Sequence, residues 1–116
     1  YPTLVYDYVW KGGTAPSSGF DGNSWTSGAN WEDPCGTGYN EGAPPTAGNN
    51  CLIPTGASEW PTNFNNSTTG VCNTLRLRPA SRLEIPNMVT LTVSNEILVE
   101  NSADLEIKSG GTVVSN

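Results

Sequence analysis

The chain carries 11 acidic and 5 basic side chains, three thiols and no histidine. Without imidazole there is no Ser-His-Asp relay, no histidine general base and no histidine-ligated zinc or haem. Acid–base chemistry would rest on carboxylates. Glu84 and Glu106 stand 22 residues apart, as do Arg82 and Asp104, and acids repeated on one face are how carbohydrate-cleaving enzymes place their catalytic pair. These acids, however, flank turns, and no loop after residue 70 is long enough to wall a cleft. An ordinary solvated outer face accounts for them better. No catalytic residue is assigned, and the chain is read as non-enzymatic.

Cys35, Cys51 and Cys72 lack the C-x-x-C spacing of a redox pair or zinc ribbon and are read as one disulfide and one spare thiol. A Cys35–Cys51 bridge would close a loop of about 15 residues, for which the chain-entropy estimate is roughly 3 kcal/mol. Cys51 with Cys72 is the alternative. Parity disfavours it, because a strand that points Leu75 and Leu77 inward also points Asn73 inward and Cys72 to the opposite face. Asp21-Gly22-Asn23-Ser24, near Glu32-Asp33, has part of the character of a calcium loop without its full oxygen-ligand spacing. An Asx-stabilised turn explains it as well, so no metal or other cofactor is assigned and calcium is the minor alternative. Trp25, Trp31, Trp60 and Tyr39 are candidates for stacking on sugars. The competing role for Trp10, Trp25 and Trp31 is burial, since each covers a large area of a small core. Trp60, between Glu59 and Pro61, is the best candidate for an exposed ring. The overlapping sequons in Asn65-Asn66-Ser67-Thr68 are read as a polar loop.

A net charge of −6 opposes binding to phosphate backbones or anionic lipid. Arg76, Arg78 and Arg82 lie close together but are too few for a nucleic-acid footprint. No apolar run approaches the roughly 18 residues of a membrane span. The chain starts at Tyr1 without a signal peptide or Met, and is expected to be a mature product or a segment of something larger.

The elements that must position these residues follow from composition. Of 116 residues, 13 are Gly, 9 Pro and 13 Asn, a vocabulary of turns and strands that excludes an all-α fold. Residues 1–48 are irregular, with one strand, Leu4 to Trp10, among dense turn signals such as Gly12-Gly13, Asp21-Gly22 and Pro44-Pro45. From residue 49 onward, apolar anchors fall at Leu75/Leu77, Leu83/Ile85, Leu91/Val93, Leu98, Leu105/Ile107 and Val113. An echo of about 22 residues links Ile53 to Leu75, Leu75 to Leu98, Leu83 to Leu105 and Leu91 to Val113. The spacing predicts an all-β right-handed parallel β-helix in residues 49–116, about 22 residues per coil and three short strands per coil, behind an N-terminal strand and capping loops in residues 1–48. A β-sandwich, with turn signals every 8 to 12 residues, is the alternative.

Trp10-Lys11-Gly12-Gly13, Ser24-Trp25, Ala29-Asn30-Trp31, Pro44-Pro45-Thr46-Ala47-Gly48-Asn49-Asn50, Leu52-Ile53-Pro54 and Cys72-Asn73-Thr74-Leu75-Arg76-Leu77, followed by Leu83-Glu84-Ile85 and Leu91-Thr92-Val93, resemble a β-helix module of large bacterial secreted and cell-surface proteins. Such proteins are exported by the type IX route and include gliding-motility adhesins. The resemblance covers about residues 9 to 114. In this chain Asn49-Asn50 stands where an Asp is common, and Cys51 takes an inward aliphatic position. The resemblance places Trp10, Trp25 and Trp31 in a cap over the first coil, and it implies an extracellular or cell-surface location and no catalytic residues. The expected function is a structural or adhesive segment, part of a filament or large adhesin. A carbohydrate-binding or accessory module of a polysaccharide-active β-helix, with surface glycans as partners, is the alternative. Because Thr112-Val113-Val114-Ser115-Asn116 breaks off within a coil, the chain is expected either to continue or to stack end to end on another copy, through the Leu4 to Trp10 strand. Neither nucleic acid nor membrane insertion is expected.

Overall fold

Leu83-Glu84-Ile85 and Leu105-Glu106-Ile107 alternate apolar and charged residues, the two-residue period of a strand with one face in a core. In the computed structural model, which describes residues 6–12, 23–32, 43–57, 59–64 and 67–115, both segments are strands. They pair in parallel, Leu83 with Leu105 and Ile85 with Ile107. The described residues form an all-β fold of eight strands: β1 (Tyr8–Trp10), β2 (Trp31–Glu32), β3 (Asn50–Ile53), β4 (Thr69–Leu77), β5 (Arg82–Ile85), β6 (Thr90–Val99), β7 (Asp104–Ile107) and β8 (Thr112–Ser115). One sheet runs β2-β1-β3-β4-β6-β8 and a second holds β5 and β7. Antiparallel pairing, which a sandwich would use throughout, occurs among these strands only between β1 and β2.

The parallel register comes in three ladders. The first stacks Ile53 on Leu77 on Val99, the second Leu83 on Leu105, and the third Gly70 on Leu91 on Val113. Two of the spacings expected from the sequence need correction. Ile53 lies against Leu77 rather than Leu75, so the first layer is two residues longer than the later ones. Leu75 lies against Ile97 rather than Leu98, and Leu98 is an exposed residue. The segment around Asn63 belongs to the second ladder. Ser24 bridges Asn63 in parallel, and the Glu84 amide donates to Pro61 O at 3.0 Å.

The long strands β4 and β6 each serve two ladders because they bend. Between Cys72 and Thr74 the register slips: Cys72 faces Val93 but Thr74 faces Glu96, so Ser94 and Asn95 together oppose Asn73. The extra residue lies on β6, where Leu91, Val93 and Ile97 keep one alternation. β4 instead changes parity across Asn73, and Cys72, Thr74, Leu75 and Leu77 are all buried. This overturns the parity argument that put Cys72 on the face opposite Leu75. Asn95 Nδ2 donates to Thr74 Oγ1 at 3.1 Å and Asn73 Nδ2 to Asn50 Oδ1 at 2.9 Å, tying the bend to the layers on either side.

The turns repeat with the strands. Gly56, Ala80 and Ser102 all have φ between 62° and 85°, as do Met88 and Gly110. Ser81 N–H closes on Arg78 O and Ala103 N–H on Glu100 O, while Val89 N–H and Gly111 N–H make the matching bonds to Pro86 O and Lys108 O. A left-handed residue at each of these turns bends the chain sharply within two positions.

Burial falls along the stack. Cys51, Ile53, Leu75, Leu77, Leu83, Ile85, Leu91 and Val93 are sealed from solvent, whereas Val99 and Ile107 in the last layer are 43% and 48% exposed. At the other end Trp10, Trp25 and Trp31 are fully buried. Trp31 meets Tyr8, Trp10 and Trp25 edge-on, and Phe64 stacks on Trp25 at 5.7 Å. Buried aromatic area of this kind stabilises by several kcal/mol in total, on the order of 1.5–3 per large apolar side chain. Its polar atoms anchor irregular segments: Trp10 Nε1 donates to Glu59 O at 2.8 Å, Trp31 Nε1 to Trp25 O at 2.9 Å and Tyr8 Oη to Ala43 O at 3.0 Å. β1 lies between β2 and β3. Both edges of Tyr8–Trp10 are therefore already engaged, which corrects the expectation that this strand accepts a second copy. Among the described residues no helix is long and apolar enough to cross a membrane.

Candidate functional site

The outward positions of the second ladder place Arg82 and Glu84 on β5 directly against Asp104 and Glu106 on β7. Arg82 reaches Glu84 Oε1 at 2.9 Å, Asp104 Oδ2 at 3.0 Å and Glu106 Oε2 at 2.6 Å, and Lys108 Nζ reaches Glu106 Oε1 at 3.0 Å. Hydrogen bonding by Lys108, with Arg82 nearby, holds the Glu106 carboxyl below the usual carboxylate range, and Glu106 in turn raises Lys108. A general acid needs the opposite shift. Glu84 and Glu106 both belong to this ion-pair ladder with Arg82 and Lys108.

A second cluster, missed in the sequence, centres on Glu100. It accepts from Arg76 Nε at 2.8 Å and lies 3.1 Å from Arg78 Nη1, and the Arg76 bond lowers its pKa. The signal was available: Glu100 follows Arg78 by one 22-residue layer. Asp7 was missed as well. Its carboxylate accepts from Asn49 Nδ2 at 2.7 Å and from the Asn50 amide at 2.6 Å, locking β1 to the entry of β3.

The aromatic candidates separate by burial. Trp25 and Trp31 have no free face on which a sugar ring could stack, since both are buried among other rings. Trp60 is half-buried with one side packed against the core, and Tyr39 lies outside the described residues. A groove of about 290 Å³ runs beside Trp25, walled by Pro44, Pro45, Thr69 and Val71. The Trp25 indole N–H is buried without a hydrogen-bond partner among the described residues.

Of the calcium candidates, Asp21, Gly22 and Asp33 lie outside the described residues. Asn23 Nδ2 is engaged by Thr62 Oγ1 at 3.3 Å, and Ser24 Oγ pairs with Thr26 Oγ1 at 3.2 Å. Among the described residues no three acidic or thiol groups converge as a metal site would require. Cys35 also lies outside them, so the Cys35–Cys51 bridge is seen from one side only. There, Cys51 is a free, buried thiol beside the equally buried free thiol of Cys72.

The last layer leaves a row of apolar side chains uncovered. Along it Leu98, Val99, Ile107 and Val114 are each more than 40% exposed, and β7 and β8 each pair on one side only. The chain matches no protein-family model, no curated protein and no solved structure.

Proposed function

We propose that this chain is a non-enzymatic structural segment of an extracellular parallel β-helix, right-handed with about 22 residues per coil, in which residues 1–48 cap one end. One observation carries the reading: three ladders pair in parallel, and inward residues stack column by column until the last layer leaves them open. Stacked layers of this type gain stability from each neighbour, and an open final layer invites another. The occupant that fits is a further parallel layer, from a continuation of the chain or from a second copy stacked end to end, matching the filament or adhesin role that the motif resemblance suggests. The neutralised carboxylates fit a surface more readily than a reaction centre.

The capped aromatic end makes the association end-specific. Sedimentation of the 116-residue chain over a wide concentration range is expected to show self-association that Ile107→Lys abolishes without altering the circular dichroism spectrum. A folded chain that stays monomeric at millimolar concentration would overturn the proposal. The second reading, a carbohydrate-binding module, is favoured by the groove beside Trp25. A glycan array tests it, and saturable binding lost in Trp60→Ala or Thr69→Ala would replace the structural reading.

A further inference from the structure

Two thiols unused by any role above face each other in the core. Cys51 points inward from β3, in register with Leu75 of β4. Cys72 precedes Leu75 by three positions on β4 and would point outward in a straight strand. The kink at Asn73 turns it inward, and the Asn73 amide fixes that kink by donating to Asn49 O at 2.7 Å. Both side chains are completely buried in one cluster, and the Cys51 thiol points to Asn49 O at 3.9 Å, the carbonyl that also accepts from the Asn73 amide next to Cys72.

We propose that Cys51 and Cys72 are joined in a disulfide that staples the β3 layer to the β4 layer, and that the bond is made during folding. Two S–H bonds break and one S–S bond forms. The two electrons and two protons pass to a small disulfide oxidant such as glutathione disulfide, which leaves as two thiols. Exchange starts from a thiolate. In the folded chain burial pushes the Cys51 thiol far above its ordinary value, and no oxidant reaches either sulfur. The reaction therefore belongs to the stage before the layers close, after which the bond is sheltered from reductants. Cys35 is left as the single thiol.

The test is refolding from denaturant into a mixture of glutathione and glutathione disulfide, trapping with N-ethylmaleimide in acidic denaturant, and peptide mapping without reduction. The Cys51 peptide is expected linked to the Cys72 peptide, with Cys35 alkylated. Cys35→Ser retains the link and Cys72→Ala loses it. In Cys35→Ser the bridged form melts about 10 °C or more above the reduced form, as closure of a loop of about 20 residues implies. Protein folded under reductant first is oxidised at least about tenfold more slowly by the same mixture. A Cys35 link to either partner, or natively folded protein with all three thiols alkylated, overturns the pairing. Oxidation of prefolded protein as fast as of the unfolded chain overturns the timing.

Discussion

Met88 sits at a corner with φ of 67°, a conformation in which its Cβ crowds the backbone, and its side chain is 72% exposed. The residue one layer later, Gly110, occupies the same conformation with φ of 82°. Non-glycine residues bear a cost of roughly 1 kcal/mol there, which glycine avoids at some expense in unfolded-state entropy. Met88→Gly should raise stability by about 0.5 kcal/mol in urea titration, because almost no packing is lost. Gly110→Ala should lower it by more than about 1 kcal/mol, since a methyl would strike Asn87 as well as strain the turn. The sequence shows Gly56 and Gly110 as turn residues readily enough. It hides Ala80, Met88 and Ser102, whose shared conformation is imposed by the layers they connect.

The strand ladders make the cost of a lost side chain depend on its layer. Leu75 is sealed between Cys51 below and Ile97 above, whereas Ile107 has Ile85 below and solvent above. Leu75→Ala should cost about 2–5 kcal/mol and Ile107→Ala under about 1.5, measured as midpoint shifts in denaturant. The outer faces answer to pH instead. Glu100 and Glu106 are held below the ordinary carboxylate range by Arg76 and Lys108. Their stabilisation is complete above the ordinary glutamate value of about 4.3 and disappears as pH falls through their lowered folded-state values. Thermal melts should be level between about pH 7 and 5 and decline below about 4. Molar salt should soften the decline, because these pairs are partly exposed. Lys108, raised by Glu106, adds a smaller loss as pH climbs past its ordinary value near 10.4.

At the scale of the molecule the two ends differ. Trp10, Trp25 and Trp31 close one end, with β2 folding back antiparallel on β1, while β7 and β8 leave the other uncovered. The uncovered layer is where association should act, so sedimentation of Ile107→Lys, which places a charge on that layer, should show less association than the unmodified chain.

The sequence by itself determined the all-β class, the alternation that puts Leu83, Ile85, Leu105 and Ile107 on one side of their strands, and the 22-residue interval. Each is a local or strictly periodic property, readable wherever apolar residues recur at fixed spacing. It also marked Trp10, Trp25 and Trp31 as candidates for burial, because an indole is the largest apolar surface a side chain offers to a small core. Tertiary structure alone decided what happens where the period breaks. At Asn73, β4 changes parity so that both Cys72 and Leu75 face the core, and the added residue on β6 keeps Ile97 rather than Leu98 opposite Leu75, because a register slip changes facing without any change in composition. Only tertiary structure drew Glu100 to Arg76 and Asp7 to Asn50. Those partners lie 24 and 43 residues apart and meet because parallel layers bring them side by side.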